Sequence, residues 1–118
     1  VIVLNHPCFR IPRASAWGYD ERAKVQYRRI ERYGVPFSMK IDMTPGASPG
    51  AKKKVHTVSF HRPLQDYVKA LAKAGFSLTG LEEWISHKKS EYGPRASAED
   101  AARKEFPLFL ALVARKVR

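Results

Sequence analysis

"SFHRPLQDYVKALAKAGF", residues 59–76, carries its own start and stop signals. Pro63 suits the first helical position, where its fixed φ is already helical and its missing N–H has no partner to lose. Leu64, Tyr67, Leu71 and Ala74 then recur at helical spacing, and Gly75 supplies the left-handed residue that ends a helix. The β-rich "VHTVSF", residues 55–60, leads directly into this stretch. It therefore reads as a strand followed by a helix that buries one face. His61 and Arg62 are the two side chains that the junction itself does not explain.

Working outward, "VIVLN" at residues 1–5 is an apolar, β-branched run of the kind that parallel sheets bury on both faces, with neighbouring strands expected in sequence outside this chain. Pro7 and Pro12 in "NHPCFRIPR" stop both helix and ladder and predict a loop leaving that strand. Residues 14–37 are ambiguous. Asp20 suits the cap of a helix ending at Gly34, yet "VQYRRIERY" also alternates as a strand with Tyr27, Arg29, Glu31 and Tyr33 on one side. Two Pro-Gly pairs and three lysines in "SMKIDMTPGASPGAKKK", residues 38–54, predict a loop, mobile over about 44–54.

"FSLTGLEEWI" reads as a strand in which a bulge near Gly80 restores the phase between Leu78 and Leu81. "SEYGPRASAEDAARKEF" gives a loop and then a short helix, with Ser97 as its cap, Glu99 and Asp100 in its first turn, and Arg103 and Lys104 in its last. After Pro107, "LFLALVARK" is a second apolar strand buried on both faces. No internal repeat is visible.

The chain has 118 residues, 44% hydrophobic and 11% aromatic, which suits a single domain over 1–118 with a core of its own. Its longest apolar run, "FPLFLALVA", is far shorter than the roughly 20 residues that span a bilayer. No membrane partner is expected, and a single cysteine, Cys8, fits a reducing cytoplasm. The formal charge of +11 attracts polyanions, so nucleic acid is a competing partner; the basic residues are dispersed, and solubility explains them as well.

Glycine-rich phosphate loops, HExxH, paired CxxC and GxSxG are all absent, and His6 and Cys8 lie about fifty residues from His56 and His61, without metal-ligand spacing. His6 and His61 follow strand-like segments near prolines, where open α/β sheets place ligand-contacting side chains; a structural histidine bonded to the backbone competes with that reading. Arg62, Arg28 and Arg29 suit an anionic substrate group, or pairing with nearby carboxylates. Trp17, Tyr19, Tyr27 and Tyr33 interleave with arginines in a pattern that suits stacking on a flat substrate, or ordinary packing.

Taken together, the "HPCF" loop after the first strand, "SFHRPLQDYVKALAKAGF", "LEEWISHKKSE" and "ARKEFPLFLALVARK" resemble the C-terminal half of a bacterial class I S-adenosylmethionine-dependent methyltransferase. The resemblance spans almost the whole chain. It implies an α/β fold (α+β for this part alone), made of strands five, six and seven of a seven-stranded Rossmann-like sheet. The last strand is then antiparallel and inserted between the other two. It also implies a strand for "VQYRRIERY", paired with "VHTVSF" in a hairpin insertion over 17–60.

The resemblance further implies a small-molecule acceptor and S-adenosylmethionine in the parent protein. The cofactor site would lie in a missing N-terminal half, so that no cofactor-binding residue is expected in this chain and the fragment is inactive alone. His6, Trp17, Tyr27, Arg29, His61 and Arg62 are then the substrate-side residues, with His6 or His61 as the base. Two other readings compete: a basic nucleic-acid-binding module, and a structural domain that dimerises through an exposed sheet edge.

Overall fold

β7 (Phe109–Lys116) is the strand on which the largest sheet is built. β1 (Ile2–Asn5) pairs antiparallel along one side of it, Ile2 opposite Leu112 and Asn5 opposite Phe109. β6 (Phe76–Trp84) pairs antiparallel along the other, Phe76 opposite Lys116 and Trp84 opposite Phe109. Successive strand residues point to opposite faces, so burial of Leu110, Ala111 and Leu112 in a row means that both faces of β7 are covered there. The computed structural model of the chain describes residues 1–42 and 56–117.

Two hairpins precede the helices. β2 (Ser15–Asp20) pairs with β3 (Val25–Ile30), and β4 (Phe37–Asp42) pairs with β5 (His56–His61), each as a separate two-stranded sheet. Asp20 closes the first turn by accepting the Arg22 and Ala23 N–H groups at 2.9 and 3.1 Å, with Lys24 in the left-handed region at φ 53°. α1 (Leu64–Lys73) packs on β6, and α2 (Ala96–Glu105) packs on β3.

Local signals in the sequence translate closely into structure. Pro63 sits at the cap position of α1, one residue before the place expected, and the Leu64 N–H donates to the Tyr33 hydroxyl at 3.0 Å in place of a side-chain cap from Pro63. Gly75 ends the helix at φ 88°. The bulge is present as well: Leu78 faces Ala114 and Gly80 faces Val113, leaving Thr79 as the extra residue. Ser97 is not the cap of α2; the helix starts at Ala96 after Arg95, with no side-chain cap, and Ser97 lies in the first turn.

Longer-range expectations need correction. The described residues do not form part of a Rossmann-like parallel sheet; the structure is mainly β, in separate small sheets, and every ladder among those residues is antiparallel. The apolar run of β7 suggested a parallel strand, but a central antiparallel strand covered on both faces demands the same residues. β7 does lie between β1 and β6 and runs opposite to both. "VIVL" is not buried on both faces: β1 is an edge strand, with Ile2 43% and Val3 54% exposed.

"VQYRRIERY" does form a strand over 25–30, but it pairs with β2 and not with "VHTVSF". The short turn after Asp20 closes a local hairpin, and local closure costs less chain entropy than pairing across a long loop. The 17–60 insertion is thus the greater part of two hairpins. Residues 38–42, read as loop, form most of β4, and the loop over 44–54 lies outside the described residues.

The fully buried apolar set is small: Ile11, Ala14, Ala102, Leu110, Ala111 and Leu112. Three of these six, Leu110, Ala111 and Leu112, lie in a row on β7. Leu110→Ala is therefore expected to cost about 2–5 kcal/mol in denaturant unfolding, and Leu81→Ala, at a half-exposed site on β6, less than about 1 kcal/mol. Equal costs would show that β7 is not the centre of the core.

α2 is tied to the preceding loop by Asp100, whose Oδ1 accepts the Ser90 N–H at 2.8 Å and an Arg103 guanidinium N–H at 3.2 Å. The Ser90 N–H, with Arg103 and Lys104 nearby, holds the Asp100 carboxyl below its ordinary 3.8. A depressed folded value stabilises the fold above the unfolded value and is lost as pH falls through the folded one. Asp100→Asn should flatten this acid limb by lowering the melting temperature at neutral and alkaline pH, with the least change at the acid end.

Candidate functional site

The loop that leaves β1 is built on His6. Its N–H donates to the Leu108 carbonyl at 2.8 Å, and its own carbonyl accepts the Phe9 and Arg10 N–H groups at 3.1 and 2.8 Å. The imidazole is 2% exposed. Its Nδ1 accepts the Cys8 N–H at 3.1 Å, which leaves the proton on Nε2, where it is donated to Glu83 Oε2 at 2.6 Å. Both ring nitrogens are engaged, so His6 holds the loop and has no free lone pair for a substrate.

His61 is arranged differently. It ends β5 opposite Phe37, is 3% exposed, and meets the Phe37 and Tyr33 rings at centroid distances of 5.5 and 6.0 Å. Its Nε2 donates to the Tyr33 carbonyl at 2.7 Å, an acceptor only, so the neutral ring carries its proton there and Nδ1 holds the lone pair. Thr57, Ser59 and His61 alternate along β5 and so share a face of the hairpin.

That face borders the main cleft, about 540 Å³, which lies between Thr57, Ser59 and Ile41 on one side and the 5–15 segment with Arg28 on the other. Asn5, Arg10, Pro12 and Ser59 continue from it into a smaller cleft of about 250 Å³ that reaches His61 and Tyr67. Arg10, Arg13 and Arg28 supply the charge of the main cleft, and its lining contains no carboxylate among the described residues.

Arg28 is held on three sides. Its Nε donates to the Phe9 carbonyl at 2.8 Å, its Nη2 donates to Ser15 Oγ at 3.1 Å, and its plane lies over Trp17 at 4.8 Å. Ser15 is fixed in turn, accepting the Ile11 N–H at 2.8 Å and donating to the Ile11 carbonyl at 2.7 Å. Burial lowers the pKa of Arg28 from its usual value, and the neighbouring Arg10 charge adds to this.

The substrate-side residues read from sequence are thus dispersed. His61 and Arg62 share a cleft of about 240 Å³ with Phe37 and Phe60. Trp17 borders a separate cleft of about 350 Å³ with Arg10, Arg28 and Arg103, its ring against Phe106. Tyr27 lies across Gly18 on the outer face of its hairpin, where a Cβ on Gly18 would collide with the phenol ring. Arg29 pairs with Glu31 at 2.8 Å in solvent, and neither Tyr27 nor Arg29 lines these clefts. Arg10 and Arg13 were not singled out; their one sequence signal is the "FRIPR" spacing within a proline-stiffened loop.

The lining also bears on what it can hold. Among the described residues the only charged groups of the cleft are arginines, which repel a sulfonium, so these residues do not fit S-adenosylmethionine. No cluster of His, Cys, Asp or Glu able to hold a metal occurs among the described residues. No helix of the described residues is long and apolar enough to cross a membrane. In comparisons with family models, curated proteins and solved structures, the chain matches none.

The two histidines should respond differently to mutation. His6→Ala removes bonds that fix the loop and should cost about 1–3 kcal/mol in denaturant unfolding. His61→Gln keeps a side-chain donor for the Tyr33 carbonyl and should cost less than half as much. A larger loss for His61→Gln would assign the structural role to the wrong histidine.

Proposed function

We propose that this chain forms the acceptor-side part of an S-adenosylmethionine-dependent methyltransferase, acting on a small molecule in a bacterial cytoplasm. The observation that carries the reading is His61, which lines the smaller cleft of about 250 Å³ next to the main one and whose Nδ1 has no hydrogen-bond partner among the described residues. The sequence resemblance supplies the reaction class. The methyl donor would be held by residues other than these, and the chain alone is inactive.

The described residues then have three tasks: holding the acceptor, orienting it, and taking a proton at His61 Nδ1. The Tyr33 carbonyl fixes the ring through Nε2, as a general base requires. Tyr33 itself stays protonated, because burial, foremost among several causes, raises its pKa above the usual phenol value.

The test is methyl transfer by the whole gene product, followed with methyl-labelled S-adenosylmethionine and a panel of small acceptors. His61→Ala should lower kcat about 10²-fold or more with little change in KM. Full activity in that variant would refute the base assignment, and no transfer to any small molecule by the whole product would refute the enzyme reading.

The edge of β1 favours a second, compatible reading. Val1, Ile2 and Val3 are exposed on a strand paired on one side only, which suits strand addition by another segment or a second copy. Sedimentation of the chain as a monomer at all concentrations would exclude self-pairing.

A further inference from the structure

We infer that the main cleft is an anion site, and that the acceptor it takes is a small organic acid whose carboxylate or phosphate is held by Arg10, Arg13 and Arg28. Calling that anion the acceptor rests on the function proposed above; the anion site itself does not.

Arg28 carries the argument. Its guanidinium is fixed by the Phe9 carbonyl, the Ser15 hydroxyl and the Trp17 ring, which engage Nε and one Nη2 proton and leave the Nη1 protons unassigned among those bonds. Among the described residues it forms no ion pair, and neither do Arg10 and Arg13. Arg28 is half-buried while Arg10 and Arg13 are exposed, and a half-buried cation beside two others loses hydration and is repelled by them. Burial, and then the Arg10 charge, lower the pKa of Arg28 in keeping with that cost.

Other arginines of this chain do find carboxylates: Arg29 pairs with Glu31, Arg95 with Glu21, and Arg103 with Glu99 and Asp100. Arg22, Arg32, Arg62 and Arg115 also form no ion pair among the described residues, but only Arg10, Arg13 and Arg28 line one cleft together. Arg13, moreover, occupies the left-handed region at φ 53°, a conformation disfavoured for a side chain of its size. An oxyanion in the cleft would neutralise the repulsion and accept the free guanidinium N–H groups, and Asn5, Ser15, Thr57 and Ser59 add further polar groups to the lining.

The geometry favours a small molecule over a polymer. The cleft is a concavity of about 540 Å³, within the size range of small-ligand sites, and its central cation is fixed by bonds to neighbouring groups. A nucleic-acid surface would instead present an extended track of cations, and the other basic residues of this chain are dispersed.

The test is direct binding to the chain, with no methyl transfer involved. Inorganic phosphate, benzoate and a short single-stranded oligonucleotide are titrated separately at low salt, and the Arg28 Nε–H and the Ser15 and Arg13 amides are followed by NMR. Saturable shifts at these groups with phosphate or benzoate are expected. The double variant Arg10→Ala/Arg13→Ala should weaken binding about tenfold or more, while Lys69→Ala, which removes a charge outside the lining of the cleft, should change it less than about twofold. Absence of saturable shifts with either small anion overturns the site. Equal weakening by Lys69→Ala reduces it to general charge attraction and overturns it as well. Binding of the oligonucleotide alone, with a steep salt dependence, would replace the small acid with nucleic acid. Because methyl transfer is not measured, failure here leaves the enzyme reading to its own test.

Discussion

Five hydrogen bonds converge on His6, and the geometry of the cleft depends on them. Its backbone N–H ties the end of β1 to Leu108, just before β7; its carbonyl turns the chain through Phe9 and Arg10; its ring takes the Cys8 N–H and donates to Glu83 on β6. One residue thus spans all three strands of the main sheet and fixes where the following loop begins. That loop carries Arg10 and Arg13, and the Phe9 carbonyl that it positions holds Arg28. Pro7 and Pro12 then stiffen the remaining backbone, which limits the entropy lost in holding an irregular segment.

From the same loop an aromatic chain carries the constraint outward. Phe9 meets His6 at 5.0 Å and Phe106 at 5.8 Å, Phe106 meets Trp17 at 5.9 Å, and Trp17 lies under the Arg28 guanidinium. The first hairpin, the end of α2 and the end of β1 are therefore coupled through edge-to-face contacts near a small core. These contacts are directional, unlike simple apolar burial, and so they set orientation as well as proximity. Arg28 is well placed as a fixed cation because both its partners and the ring beneath it belong to this chain of contacts.

What the sequence made legible was local. Proline and glycine bracket α1, the alternation of Leu78 and Leu81 requires the bulge at Thr79, and the apolar run of β7 requires cover on both faces. Each of these follows from side-chain periodicity or from one residue's backbone preference. Strand pairing does not, because a buried run fits a parallel or an antiparallel neighbour equally well. The site suffered from the same limit in another form. Alternation in "VQYRRIERY" correctly separates two faces, but it does not say which faces inward. Tyr27 and Arg29 drew attention as an aromatic and cationic set, yet the inward set is Gln26, Arg28 and Ile30, because Arg28 alone finds a carbonyl, a hydroxyl and an indole face to satisfy it.

The two histidines show how little separates a structural group from a chemical one. His61 ends β5 and His6 directly follows β1, both are almost fully buried, and both lie near prolines, so the two look alike in sequence. The difference is one hydrogen bond. The Cys8 amide occupies Nδ1 of His6 and forces its proton toward Glu83, whereas the Tyr33 carbonyl occupies Nε2 of His61 and leaves the opposite nitrogen basic. A backbone donor thus turns one imidazole into a brace, and a backbone acceptor prepares the other to take a proton. Since Tyr33 also accepts the first N–H of α1, the segment that orients His61 is the one that anchors the helix behind it. The end of β5 and the start of α1 are consequently held by a single residue, and a shift of either would move His61 Nδ1 relative to Arg10, which borders the same cleft.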